Sequence, residues 1–121
     1  MAKILIIDDD PDVLTMLREM LEREGYEVVA ANDGEKGVKC YRDNPTDLII
    51  TDIIMPEKEG IETILDLRKE FPDIKIIAIS GGGRINATDH LKLAKHIGAQ
   101  YTFSKPFERK ELLRAVRDLI K

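Results

Sequence analysis

"LIITDIIMPEKEG", residues 48 to 60, opens as an apolar run and stops on an acid. Leu48, Ile49 and Ile50 do not alternate with polar residues, which is the pattern of a strand covered on both faces. The pattern breaks at Thr51 and Asp52, and Pro56 and Gly60 punctuate the chain before the next periodic segment. A carboxylate at the end of a buried strand is costly to desolvate unless something pairs with it. The stretch therefore poses two questions: which sheet Leu48–Thr51 joins, and what surrounds Asp52 there.

Four further runs of the same kind answer the first question: Ile4 to Ile7, Tyr26 to Ala31, Ile74 to Ile79 and Gln100 to Ser104. Helix-period segments lie between them. The first spans Pro11 to Glu24, with Val13, Leu14, Leu17, Met20 and Leu21 on one face. Asp10 suits its N-cap, Pro11 its first turn and Gly25 its C-terminal stop. Further helices are predicted near Gly34–Arg42, Ile61–Phe71, Ala87–Ile97 and Arg109–Ile120. Gly34 and Gly37 make the second of these the weakest by propensity. Pro45, Pro72 and Gly98 separate the remaining elements.

Strand and helix thus alternate five times. Right-handed crossovers then give an α/β fold, a doubly wound parallel five-stranded sheet with helices on both faces. Residues 1–121 read as one domain, with no repeat, linker or low-complexity segment. In such sheets sites form outside the carboxyl ends of the strands, near the point where strand order reverses.

Composition narrows the function classes. The chain is 43% hydrophobic and 35% charged, as in a globular protein rather than a disordered one. Its 19 basic and 23 acidic side chains are interleaved, net −4, so no basic footprint for nucleic acid is present. No run approaches the length of a membrane span, and the N-terminus does not resemble a signal peptide. The single Cys40 fits a reducing, cytoplasmic setting and reads as a small packing residue on a helix.

The carboxyl ends carry the chemistry. The first strand ends in Asp8-Asp9-Asp10, the third in Asp52, the fourth in Ser80 before three glycines, and the fifth in Lys105-Pro106. Carboxylates brought together repel unless a cation sits between them. Oxygen ligands alone suit Mg²⁺, and no His or Cys is placed to favour zinc. A carboxylate can act as a nucleophile towards phosphorus, and a hydroxyl and an ammonium can then hold the arriving phosphoryl oxygens. Each residue singly has an ordinary explanation: a helix cap, a turn serine, a surface lysine. Together, at four strand ends, they point to a Mg²⁺-assisted phosphoryl site with an aspartate acceptor.

With those residues in view, the sequence resembles a response-regulator receiver domain of two-component signalling, of the chemotaxis-regulator type. "ILIIDDDPDV", "DLIITDIIMPEKEG", "IIAISGGG" and "GAQYTFSKPF" match the family's motifs in order, over essentially the whole chain. The resemblance implies a flavodoxin-like (βα)5 fold with strand order 2-1-3-4-5. It implies that Asp52 accepts a phosphoryl group from a histidine kinase phosphohistidine or a small phosphodonor. Asp9 and Asp52 would bind Mg²⁺ directly, with the carbonyl of Ile54 as third protein ligand and Asp8 acting mainly through water. Ser80 and Lys105 would contact the phosphoryl oxygens, and the Lys105–Pro106 bond would be cis. Phosphorylation would shift the packing of an output face over residues 86 to 120 and so alter binding to a partner or effector domain. Such a protein is not an enzyme in the usual sense and catalyses only its own phosphorylation and dephosphorylation.

Two positions are unusual for the family. Thr102 stands where many receivers carry a switch aromatic, and Tyr101 and Phe103 flank it on the opposite face. Tyr101 is left either exposed on the output surface or packed against a helix. Ile54 and Gly82 occupy the two positions that flank the attacking water in the family, and neither can guide it. His90 and His96 fall on the fourth predicted helix, away from the acids, and read as surface residues.

Two other classes compete. A flavodoxin-like nucleotide or flavin binder would use the same crevice, but the first strand-to-helix turn reads DDDPD and lacks a glycine-rich cradle. A Mg²⁺-dependent phosphatase with an aspartyl nucleophile often needs a second acid two residues on, where this chain has Ile54.

Overall fold

The computed structural model describes residues 2–52, 60–80, 98–104 and 107–120; for Gly60, Ile61 and Ser80 only the backbone is described. Its elements in chain order are β1 (Lys3–Ile7), α1 (Pro11–Arg23), β2 (Glu27–Ala31), α2 (Gly34–Asp43), β3 (Leu48–Asp52), α3 (Gly60–Glu70), β4 (Ile76–Ser80), β5 (Tyr101–Ser104) and α4 (Arg109–Ile120). The fourth helix expected from the sequence, Ala87–Ile97, lies outside the described residues, together with His90 and His96.

All five strands pair in parallel, in the order β2-β1-β3-β4-β5. The chain order reverses between β1 and β3, so the crevice outside their carboxyl ends is the expected ligand position. The buried strand expected at Leu48–Thr51 is observed one residue longer: β3 lies between β1 and β4, and all five of its residues are buried. β4 starts later than its apolar run suggests. Ile74 is buried but precedes the strand, with its N–H donating to the Phe71 carbonyl at 3.1 Å.

Strand alternation sorts the core into two layers. Leu5, Ile7, Ile49, Ile76 and Ala78 pack with Val38 and Tyr41 of α2 and Ile64 and Leu67 of α3. Ile4, Ile6, Leu48, Ile50, Ile77 and Ile79 pack with Leu17, Met20 and Leu21 of α1 and Leu112, Ala115 and Val116 of α4. The run at Ile4–Ile7 is apolar throughout because both faces of β1 are covered, and each such side chain contributes about 1.5–3 kcal/mol on burial. Cys40 is half-buried against the α2–α3 layer, as a packing residue would be.

The helix signals read from the sequence hold at α1. The Asp10 carboxylate accepts from the Asp12 amide at 2.9 Å, Pro11 is the first helical residue, and Gly25 follows at φ +92°. α2 forms in spite of its glycines for a reason the sequence hides. Asp33 caps it by accepting from the Lys36 amide at 2.8 Å, and Gly37 lies against the Ile7 side chain, where a Cβ would collide. Among the described residues no helix is long and apolar enough to cross a membrane.

Candidate functional site

The acids meet because of sheet register. Ile7 of β1 pairs with Thr51 of β3, so the next residues, Asp8 and Asp52, fall side by side at the carboxyl edge of the sheet. The Asp8 amide still donates to the Ala31 carbonyl at 3.2 Å, which extends the β1–β2 ladder by one step before the chain turns away. Asp8 Oδ1 accepts from the Asp10 amide at 2.9 Å, so the start of α1 orients the Asp8 carboxylate. One short turn therefore sets both Asp8 and the Asp10 cap.

A carboxylate oxygen from each of Asp8, Asp9 and Asp52 lies within 4.8 Å of the other two. Asp8 is 1% exposed and Asp52 5%, while Asp9 is open to solvent. Two ionised carboxylates 4.8 Å apart repel by about 3.5 kcal/mol at an effective dielectric of ~20. A small divalent cation among them turns that repulsion into attraction. The donor set, three carboxylates with one side open to water, fits Mg²⁺, which takes oxygen ligands and keeps several waters. No histidine or cysteine joins this cluster among the described residues.

The other predicted site residues stand as follows. Ser80 is the last residue of β4, one place beyond the Asp52↔Ile79 pair, so its backbone lies at the same edge of the sheet. Ser104 ends β5 opposite Ser80. Ile54, Lys105 and Pro106, and the Gly81–Gly83 run with Arg84, lie outside the described residues. Three of the six site residues read from the sequence are thus brought together as side chains, and a fourth by its strand.

Tyr101 had two readings, and the helix-packed one holds. It is half-buried against the α1–α4 layer with Phe103, and its hydroxyl donates to Asp118 of α4 at 2.5 Å. Thr102 pairs with Ala78, whose side chain belongs to the opposite, α2–α3 layer. One residue was passed over in the sequence: Thr51, read only as a strand end, is fully buried and donates its hydroxyl to the Asp52 carbonyl. Its signal was available, since a hydroxyl within a strand buried on both faces calls for a partner.

Comparison with known proteins agrees with this arrangement. Residues 4–117 match the model of the response regulator receiver domain. The transcriptional regulatory protein CpxR of Escherichia coli (strain K12) is 34% identical over 121 residues, covering 100% of this chain and 50% of that protein. The chain spans about half the length of the curated relatives it matches. Among solved structures, a receiver domain protein from Clostridium thermocellum superposes with a TM-score of 0.91 at 31% identity, covering 99% of this chain and 94% of that one. The response regulator TrrA of Thermotoga maritima, solved in complex with Mg(2+)-BeF, gives a TM-score of 0.86 at 34% identity over 98% of this chain and 99% of its own. With the parallel 2-1-3-4-5 sheet, the acid cluster at its switch point and these likenesses together, the chain belongs to the response regulator receiver domains, the phosphorylation-dependent switches of two-component signalling.

Proposed function

We propose that Asp52 is the phosphoacceptor of this receiver. The observation that carries the reading is the closeness of its carboxylate to those of Asp8 and Asp9 at the end of a fully covered strand. A carboxylate oxygen of Asp52 attacks the phosphorus of a histidine kinase phosphohistidine or of a small phosphodonor. The new P–O bond forms as the P–N or donor P–O bond breaks, and the leaving group departs with its electron pair. Asp9 and Asp52, with the carbonyl of Ile54, would hold Mg²⁺, and Asp8 would act mainly through water. The ion supplies the positive charge that lets the acids and the arriving phosphoryl oxygens share one site.

Ser80 and Lys105 are proposed as the donors to the phosphoryl oxygens, a hydroxyl and an ammonium from the ends of β4 and β5. Buried Asp52 offers a nucleophile with little water about it, and solvent-facing Asp9 leaves a side from which a donor enters. Phosphorylation then shifts the packing of residues 86–120 and alters what that face binds. Relatives such as CpxR of Escherichia coli and PhoP of Bacillus subtilis are named transcriptional regulatory proteins and are about twice as long. From this we infer that the face acts on a transcriptional effector rather than on nucleic acid directly. The chain works in the cytoplasm on this reading and catalyses only its own modification and its reversal.

A flavin or nucleotide is not favoured. The turn after β1 carries three acids where an anionic ligand needs amides free of negative charge. Beryllofluoride with Mg²⁺ tests the site: amide NMR shifts should change around Asp8, Asp52 and Ser80 in the wild type. The same additions to Asp52→Asn should leave them in place, and equal shifts in both proteins would contradict the assignment.

A further inference from the structure

We propose that Thr51 is a positioning residue for the Asp52 site, its hydroxyl fixing the peptide group through which the chain leaves Asp52. The inference rests on the reading of Asp52 as phosphoacceptor.

Thr51 sits between Ile7 of β1 and Ala78 of β4 in the sheet register, and both neighbours belong to the apolar α2–α3 layer. It is 1% exposed. A hydroxyl in such a layer is costly unless it is hydrogen-bonded, and valine would fill the same space without that cost. What the hydroxyl does there is specific: Oγ1 donates to the carbonyl oxygen of Asp52 at 2.9 Å. That carbonyl belongs to the peptide group joining Asp52 to Ile53. A hydrogen bond from the preceding side chain restricts rotation about the Asp52 Cα–C bond. Thr51 therefore fixes the direction in which the chain departs from Asp52, itself proposed as a metal ligand and phosphoacceptor. Partners of this kind, which touch a ligand's support rather than the ion, commonly change metal affinity about tenfold or more when removed.

A purely structural hydroxyl would give a different pattern on substitution. Thr51→Val keeps the shape and removes the hydrogen bond, so the fold should be at least as stable, since the buried hydroxyl is gone as well. Mg²⁺ titration followed by amide NMR should show the dissociation constant rising about tenfold in Thr51→Val. Phosphorylation by acetyl phosphate should slow in the same variant. Thr51→Ser, which keeps the hydroxyl, should bind Mg²⁺ as the wild type does; should Thr51→Val not fold, the comparison of Thr51→Ser with Thr51→Ala replaces it. Wild-type Mg²⁺ affinity in the variant lacking the hydroxyl, or equal weakening in Thr51→Ser, would overturn the proposal. Asp52→Asn separates the two levels. If it loses phosphorylation while Thr51→Val changes nothing, only the role of Thr51 fails; if Asp52→Asn is still phosphorylated, the site reading itself fails.

Discussion

The Tyr101 hydroxyl donates to the Asp118 carboxylate at 2.5 Å, tying the first residue of β5 to the last full turn of α4. Beside it, Lys75 Nζ donates to the Leu119 carbonyl at 2.6 Å, so a side chain of β5 and one from just before β4 hold the C-terminal turn of α4. Tyr101 is thereby held towards α4, on the face of β5 opposite to Thr102. Coupling between the site and the output face cannot run through an aromatic ring at position 102, because threonine stands there.

The tyrosines make this contact measurable. Tyr101 titrates above the ordinary phenol range, first because its hydroxyl donates to Asp118, then through burial and the negative charge of Asp118. Tyr41 is raised as well, chiefly by burial and then by Asp47. A folded-state pKa above the unfolded value means stability that is fully present below the unfolded phenol pKa, about 10, and is lost as pH rises through the folded one. Ultraviolet titration of the wild type should show phenol ionisation delayed beyond pH ~10. Asp118→Asn should return one of these tyrosines towards the ordinary range and leave Tyr41 where it was. An unchanged curve would remove the Tyr101–Asp118 contact from the account.

A second expectation concerns Gly37, where packing overrides helix propensity. Alanine in a helix interior normally gains about 1 kcal/mol over glycine. Here a Cβ would meet the Ile7 side chain, whose Cγ1 lies 2.8 Å from it and whose Cδ1 is closer still. Overpacking of this kind costs about 1–3 kcal/mol, so Gly37→Ala should lower the melting temperature. Ile7→Val removes the nearest atom. The double variant should therefore be less destabilised than the sum of the two single ones, a coupling that thermal denaturation of all four proteins would reveal.

The phosphorylated state should be long-lived. The family resemblance puts Ile54 and Gly82 at the two positions that flank the attacking water, and an isoleucine and a glycine offer no side-chain group to orient it or accept its proton. Phosphorylated protein in Mg²⁺, freed of phosphodonor, should keep its phosphoryl group for many minutes when followed by intact mass. Loss within seconds would contradict this. Ile54→Glu, which supplies a carboxylate at that position, should shorten the lifetime.

Much of this architecture was legible because its signals are local. Non-alternating Ile-rich runs located the strands to within two residues, and the Asp10-Pro11…Gly25 signals bounded α1 within one. The acids were legible as a site because any all-parallel sheet gathers the carboxyl ends of its strands at one edge. What the sequence hid depends on distant partners. Gly37 weakens α2 by propensity, yet Ile7, thirty positions away, requires it. Arg68 donates to the Pro72 and Gly98 carbonyls, linking the end of α3 to the turn before β5, and nothing in either segment announces the pairing. Thr51 differs: a hydroxyl in a strand covered on both faces signals that a partner exists, but not that the partner is the backbone of its neighbour. The 2-1-3-4-5 order came from the family resemblance, since the periodicity of five apolar runs is the same in any parallel order.

The central claim is that Asp52 carries the phosphoryl group and that Mg²⁺ is needed to place it there. Incubation with acetyl phosphate, followed by intact-mass spectrometry, tests both parts at once. One phosphoryl group should be gained in Mg²⁺, none in excess EDTA, and none in Asp52→Asn under either condition. A gain that persists in Asp52→Asn, or one that EDTA does not prevent, would contradict the account.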